Sequence, residues 1–225
     1  VMEIEKNVEI EKIRKGRMVS SAAAGDSGDA AVSCRLPDGS LAFILSDGMG
    51  KGMKAAAESQ AVISKLRKLL KEGVSVARAI KEVNISMIEQ SGREYSFATL
   101  DLTIIDQKTG RAKFYKMGAA LSFMLRNGKI RRIEQPALPV GIIPSLKLTH
   151  VTAKLRPGDV LVMVSDGITE ADRNDLSAGW LEEYLIKNAH SMGPRVLAGR
   201  IVSEAKTRYR SRELDDLTAV VVKIE

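Results

Sequence analysis

The chain has 225 residues and a formal net charge of +7, and 44% of its residues are apolar and 28% charged. This is the composition of a globular protein that can bury a large core. No stretch approaches the roughly 18 consecutive apolar residues that a membrane span requires, and no secretory signal opens the chain, so we expect no membrane contact by this chain itself. Only 4% of the residues are aromatic, which argues against a nucleic-acid binder, and the single cysteine, Cys34, excludes an internal disulfide.

Turn residues and periodicity predict the first elements in chain order. Residues 3–18 alternate charged and apolar side chains loosely, so a helix, a first strand and a linker all remain open there. Residues 30–45 are typical of two paired strands around the turn Pro37-Asp38-Gly39-Ser40. An apolar stripe predicts a helix over 53–71, and a second helix follows over 75–90 with Ser75 as its N-cap.

The second half is rich in strands and ends with two helices. We predict strands at 98–105, 112–117, 121–125, 129–133, 148–155, 160–164 and 217–224, and helices at 178–188 and 194–208. Strands and helices come in clusters rather than in alternation, which indicates an α+β fold with a central β-sandwich flanked by α-helices. No long Pro/Gly/Ser-rich linker divides the chain. We therefore predict an N-terminal linker or regulatory segment over 1–20 and one domain over 21–225.

Four acidic positions lie at the ends of predicted strands. Asp47 and Asp166 each follow an apolar strand within Ser-Asp-Gly, Asp29 opens the first hairpin, and Asp215-Asp216 precedes the last strand. If these ends converge, the carboxylates repel one another unless cations neutralise them. Oxygen ligands select hard ions such as magnesium, manganese or calcium. A single Asp-Gly after a strand is most often only a turn, and spacing alone leaves both interpretations open.

Several segments together resemble the PP2C-like (PPM) phosphatases, and among them the bacterial stage II sporulation protein E type. They come in the family order and cover about residues 25–225. These segments are Ser27-Gly28-Asp29, Ser46-Asp47-Gly48-Met49-Gly50-Lys51-Gly52, Phe97-Ala98-Thr99-Leu100-Asp101, Leu138-Pro139-Val140-Gly141-Ile142, Ser165-Asp166-Gly167 and Asp215-Asp216-Leu217-Thr218. The resemblance implies the PP2C-like order of α, β, β and α layers.

The resemblance implies a pair of Mn²⁺ or Mg²⁺ ions and a role for each matching residue. Asp47 would bridge both metals, and the Gly48 carbonyl would bind one of them. Asp166 and Asp215 would complete the other metal, and Asp29 would act on the first, directly or through water. Asp47, Asp166 and Asp215 are thus the expected catalytic residues.

Other residues of the matching segments have weaker implied roles. Asp216 is the alternative to Asp215 as a ligand, and Glu170 stands where some relatives place a ligand of a third metal. Thr218 would orient the last turn, and the loop of Gly141 would pack near the site. For Asp101 we favour a strand carboxylate held by hydrogen bonds over a ligand.

By resemblance, the expected function is hydrolysis of phosphoserine or phosphothreonine by metal-activated water. The expected substrate is a phosphorylated regulator of the STAS-type anti-anti-sigma class. The expected setting is the cytoplasm, in sigma-factor and sporulation signalling, as a domain of a larger and sometimes membrane-attached protein. A homodimer is left open. The alternative is a signalling module with this fold that is inactive without a partner.

The sequence departs from the eukaryotic relatives at two points. Met49 stands where they carry a histidine that is thought to protonate the leaving group, so the general acid is unassigned. Those relatives also bind phosphate with an N-terminal arginine, and neither Arg14 nor Arg17 can be aligned with it. The glycines of 48–52 lack the spacing and the terminal Lys-Ser/Thr of a nucleotide-binding loop, so we reject that interpretation.

Overall fold

The computed structural model describes residues 16–21, 27–90, 96–172, 175, 177–209 and 214–225. Its strands are β1 (Gly16–Ser21), β2 (Asp29–Arg35), β3 (Leu41–Asp47), β4 (Leu100–Ile105), β5 (Arg111–Met117), β6 (Ser122–Arg126), β7 (Lys129–Ile133), β8 (Val151–Lys154), β9 (Val160–Val164) and β10 (Leu217–Lys223). Its helices are α1 (Met53–Lys71), α2 (Val76–Gln90), α3 (Asp166–Thr169), α4 (Gly179–Asn188) and α5 (Pro194–Tyr209).

The strands form two antiparallel five-stranded sheets flanked by helices, which confirms the predicted α+β class. The chain divides into two compact units that alternate along the sequence. Unit 1 comprises the described parts of 1–25, 120–134 and 155–225, and unit 2 comprises those of 26–119 and 135–154. Each unit contains one of the sheets and its own helices.

Unit 2 contains the sheet with strand order β2-β3-β4-β5-β8. Strand β3 is apolar up to Ser46 and is buried along that length, as expected of a strand covered on both faces. Helix α1 packs on β2 and β3 and beside α2, and buries Val62, Leu66 and Leu70. It ends where Gly73 adopts a φ of 80° and donates its amide to the Leu70 carbonyl.

Unit 1 contains the sheet with strand order β1-β10-β9-β6-β7. Helix α5 packs on β1 and β10, and the core of the unit gathers Phe123, Val162, Leu181 and Ile201. The turn between β6 and β7 has positive φ at both Asn127 and Gly128, which agrees with the hairpin predicted from that dipeptide.

The predicted elements agree with the structure except at a few ends. Strand β8 is shorter than the predicted 148–155, and Ala98 forms an isolated bridge rather than part of β4. The four-residue helix α3 was missed, because so short a helix has no periodicity to detect.

Strand β1 covers the last part of the N-terminal segment in which three options were left open. Residues 16–21 form a strand that pairs with β10, so the segment predicted over 1–20 shares residues 16–20 with this strand. The rest of that segment, residues 1–15, lies outside the described residues. Among the described helices, none has the length and apolar character needed to cross a membrane.

Candidate functional site

The first pair of predicted ligands lies at one end of the β2–β3 hairpin in unit 2. Asp29 is the first residue of β2 and Asp47 is the last residue of β3, and the two are register partners. Partners in neighbouring antiparallel strands place their side chains on the same face, with Cβ atoms about 4.5–5.5 Å apart. Asp29 is buried and Asp47 is half-buried. The hairpin therefore brings two of the predicted carboxylates together.

The residues Asp47–Met49, here called the Asp47 turn, have their backbone fixed by neighbours within unit 2. The Thr99 hydroxyl accepts from the Asp47 amide at 2.9 Å, and the Thr99 amide donates to the Asp47 carbonyl at 2.8 Å. The Gly48 amide donates to the Gly28 carbonyl at 3.1 Å. The Ser46 hydroxyl adds a bond to the Thr99 carbonyl. Thr99 thus links the predicted metal ligand to β4.

Asp101 lies in the same sheet but has a different environment. It pairs in register with Leu45 and, on its other side, with Lys116. Its carboxylate is 2.5 Å from the Lys116 ammonium group, and both side chains are almost fully buried. This buried ion pair agrees with the favoured interpretation of Asp101 as a strand carboxylate held by hydrogen bonds.

The Gly141 loop joins the Asp47 turn through a short run of bridges. Gly48 bridges to Ala98, and Ala98 bridges in turn to Val140. The Gly141 amide donates to the side-chain oxygen of Asn84, a fully buried residue of α2. The Gly141 loop therefore lies close to the Asp47 turn within unit 2.

The second group of predicted ligands lies in unit 1, where β9 ends and β10 begins. Asp166 follows β9 as the first residue of α3, and Asp215 and Asp216 directly precede β10. The adjacent strands β9 and β10 are joined at this end by Ser165 and Thr218. The Ser165 amide donates to the Thr218 carbonyl, and the Thr218 amide donates to the Ser165 hydroxyl, both at 3.0 Å.

Gly167 explains why a glycine follows Asp166. A Cβ atom built on Gly167 would lie 2.3 Å from the Asp216 carbonyl oxygen and 3.2 Å from Cβ of Asp215. Only a residue without a side chain permits this approach. The Tyr209 hydroxyl of α5 donates to the Gly167 carbonyl at 2.9 Å and holds the turn from the helix side.

The carboxylates of unit 1 influence one another electrostatically. Burial raises the pKa of Glu170, and the negative charges of Asp166 and Asp215 raise it further. The Asp215 carboxylate accepts from the Asp216 amide at 3.0 Å, and the Asp166 carboxylate accepts from the Gly167 amide at 2.7 Å. Glu170 therefore belongs to the same acidic group as Asp166 and Asp215.

The donor chemistry of both groups suits hard divalent cations. Each group offers carboxylate and carbonyl oxygens, which are the ligands of hard ions. Of the sulfur and nitrogen donors that softer ions prefer, Cys34 is buried in β2 and His150 stacks on Tyr115 with ring centroids 5.1 Å apart. Among the described residues, no group of three or more His, Cys, Asp or Glu comes together in a way that could hold a metal ion.

The structure adds contacts that the sequence did not indicate. Glu58 of α1 accepts from the Met49 amide, Asn84 holds Gly141, and Tyr209 holds Gly167. No motif could have marked these residues, because each acts on the backbone of a residue distant from it in sequence. Arg14 lies outside the described residues, and Arg17 lies in β1.

Comparison with known proteins gives one family. The family model of stage II sporulation protein E (SpoIIE) matches residues 37–225. The chain is 35% identical over 204 residues to stage II sporulation protein E of Bacillus subtilis, covering 88% of this chain and 24% of that protein. It is 32% identical over 211 residues to the Priestia megaterium protein of that name, covering 92% of this chain and 36% of that protein. The chain thus spans about a quarter to a third of the length of these curated relatives.

A solved structure gives the same family. The structure of the PP2C phosphatase domain and a fragment of the regulatory domain of SpoIIE from Bacillus subtilis superimposes with a TM-score of 0.79 at 31% identity. The match covers 92% of this chain and 62% of that one.

Proposed function

Because the chain belongs to the SpoIIE family of PP2C-type protein serine/threonine phosphatases, we propose that it hydrolyses phosphoserine and phosphothreonine in a protein substrate with two divalent metal ions. The observation that carries this proposal is the register pairing of Asp29 with Asp47 at the end of a buried hairpin. Two carboxylates fixed side by side repel each other, and a cation between them relieves that repulsion.

The proposed ligands are Asp29, Asp47, the Gly48 carbonyl, Asp166 and Asp215. Mn²⁺ or Mg²⁺ is the proposed ion, since all these donors are oxygens. When bound, such a pair of ions activates water and screens the charge on the phosphoryl oxygens.

The residues of the chain hold the ligands in position. Thr99 fixes the backbone of Asp47, and the bonds between Ser165 and Thr218 hold the strand ends beside Asp166 and Asp215. The Met49 side chain has no proton to donate, so we assign the proton for the departing serine oxygen to water. Asp216 is the substitute ligand if Asp215 does not bind, and Glu170 is the candidate for a further metal.

The proposed substrate is a phosphorylated regulator of the STAS-type anti-anti-sigma class, and the proposed setting is the cytoplasm. Family membership supports both statements. By the same family membership, we propose that the chain acts as a domain of a larger protein that carries regulatory or membrane-attached regions, or a homodimer contact.

The first experiment is phosphate release from a phosphoserine protein, with and without Mn²⁺. Wild type should release phosphate only with the metal, and Asp47→Ala should lower the rate by at least about a hundredfold, as is typical when an electrostatic stabiliser of the transition state is lost. The matched control is Asp38→Ala, at the other end of the same hairpin, where the exposed carboxylate only caps the turn at Ser40.

Two outcomes would contradict the proposal. Equal activity of Asp47→Ala and wild type would remove Asp47 from the metal centre. Metal binding by wild type without hydrolysis of any phosphoprotein would favour the alternative, a signalling module that is inactive without a partner.

A further inference from the structure

The three successive amides of the Asp47 turn are each bonded to a different part of unit 2. The Asp47 amide is held by Thr99, and the Gly48 amide by Gly28. The Met49 amide donates to Oε2 of Glu58 at 2.8 Å. Of these three partners, only Glu58 belongs to a helix and binds through a charged side chain. The last peptide of the turn is therefore fixed by α1.

Glu58 is an unusual residue for its position in the second turn of α1. Glu58 is buried, with 7% exposure, and its Oε1 has no hydrogen-bond partner among the described residues. Burial of a carboxylate with one oxygen unsatisfied costs free energy. A hydrogen bond from an amide to an ionised carboxylate is stronger than one to a neutral acceptor and offsets part of that cost.

A second contact brings α1 against the same turn. A Cβ atom built on Gly48 would lie 1.9 Å from the Ala55 carbonyl oxygen and within 3 Å of two further backbone atoms of Ala55. The first turn of α1 therefore packs directly on Gly48, and one helical turn later Glu58 reaches Met49. These two contacts hold consecutive residues of the Asp47 turn.

The peptide between Gly48 and Met49 links the Glu58 hydrogen bond to the orientation of the Gly48 carbonyl. A peptide unit is planar, and the described part of the chain has no cis peptide bond. In a trans peptide the N–H of one residue and the C=O of the residue before it point in opposite directions. A bond that fixes the direction of the Met49 N–H therefore also fixes the direction of the Gly48 carbonyl.

We propose that Glu58 is a positioning residue that aims the Gly48 carbonyl at the metal through the Gly48–Met49 peptide. This inference rests on the proposed function, in which that carbonyl is a metal ligand. Glu58 touches neither metal nor substrate, and its effect is transmitted by the rigid peptide. Metal affinity should therefore depend on a hydrogen-bond acceptor at position 58 more than on the charge there.

The test compares Glu58→Met, which keeps the length of the side chain but removes the acceptor, with Glu58→Gln, which keeps a carbonyl oxygen. Two quantities other than turnover are measured: the Mn²⁺ affinity by calorimetry, and the hydrogen-exchange rate of the Met49 amide in metal-free protein by NMR. Glu58→Met should weaken Mn²⁺ binding and speed Met49 exchange about tenfold each, the factor that corresponds to a hydrogen bond to a charged group. Glu58→Gln should change the Mn²⁺ affinity and the exchange rate by about threefold or less each. It keeps an acceptor, and a hydrogen bond to a neutral acceptor is roughly half as strong as one to a charged acceptor.

The matched control is Glu82→Met on the neighbouring helix, where Glu82 pairs with Arg78 at the surface. It should leave both readouts unchanged. Faster exchange of Met49 in Glu58→Met without any loss of Mn²⁺ affinity overturns the inference alone, because the peptide would then move without consequence for the metal. A wild-type protein that binds no Mn²⁺ overturns the proposed function itself.

Discussion

Two glycines in this protein permit close packing against a neighbouring backbone segment. Gly48 and Gly167 each stand directly after a predicted metal ligand, and in both places a Cβ atom would collide with a backbone carbonyl. The glycine of each Asp-Gly pair therefore permits close packing and not only a tight turn. At Gly167 the atom in the way belongs to Asp216, next to the predicted ligand Asp215.

We predict that Gly167→Ala separates Asp166 from the start of β10. The added Cβ would lie 2.3 Å from the Asp216 carbonyl oxygen, so the backbone of one segment has to move. Overpacking of this kind costs about 1–3 kcal/mol of unfolding free energy. We also expect at least about a tenfold loss of phosphatase activity at saturating Mn²⁺, because small displacements of positioned groups are costly in catalysis.

The matched control for this substitution is Gly193→Ala, which has nothing within 4 Å of its new Cβ atom. That variant should retain both its stability and its rate. Full activity of Gly167→Ala would show that the spacing between Asp166 and Asp215 tolerates change and would weaken the assignment of the pair.

Sequence patterns predicted the carboxylates and missed the side chains that hold them. Asp47 and Asp166 stand out because each ends an apolar strand, which is a local pattern. Lys116 shows no such pattern, and its burial beside Asp101 follows only from the register of β4 and β5. Register is a property of paired strands, so one strand read alone does not contain it.

The elements were largely predictable because their signals are local. Apolar periodicity defined α1 and α2, and the Asn127-Gly128 dipeptide marked the β6–β7 hairpin. The contacts between elements were not predictable in this way. Helix α2, for example, is fastened to the Gly141 loop by Asn84, whose amide group accepts from the Gly141 amide and donates to the Ile143 carbonyl, both at 2.8 Å.

We predict that Asn84→Ala detaches α2 from this loop and destabilises the protein. Asn84 is fully buried, so its removal leaves the Gly141 amide and the Ile143 carbonyl without their partner. The Gly141 amide is buried, whereas Ile143 is exposed and its carbonyl can bond water, so we expect a loss of about 1–3 kcal/mol in a urea titration. Asn188→Ala is the control, since its amide bonds only to Tyr184 within α4, and it should cost less than about 1 kcal/mol. A loss no larger than that of the control would show that the loop is held by other contacts.

At the scale of the whole molecule, the two units interleave along the chain. Asp29 and Asp47 belong to unit 2, and Asp166 and Asp215 belong to unit 1. The fold class could be predicted because strands and helices come in clusters along the chain. The division into two units could not, because the sequence contains no linker at the points where the chain passes from one unit to the other. The family resemblance, rather than spacing, is the basis on which we propose one function for the four carboxylates.

The net charge of +7 leads to a prediction about how substrate is encountered. A phosphorylated, acidic protein is attracted by a basic enzyme over distances that salt screens, since the Debye length falls from about 10 Å at 0.1 M to about 3 Å at 1 M. Electrostatic attraction of this kind raises association rates by about 10-fold or more. For an acidic phosphoprotein, kcat/KM should therefore fall about tenfold between 0.05 and 0.5 M NaCl, with kcat nearly constant.

The control is a small phosphate ester, measured in parallel at saturating Mn²⁺. Its kcat/KM should change by less than about twofold, because it is not limited by encounter with a large charged surface. Equal decreases for both substrates would instead place the salt effect on the metal centre, and a salt-independent kcat/KM for the phosphoprotein would mean that the positive charge of the chain serves some other contact.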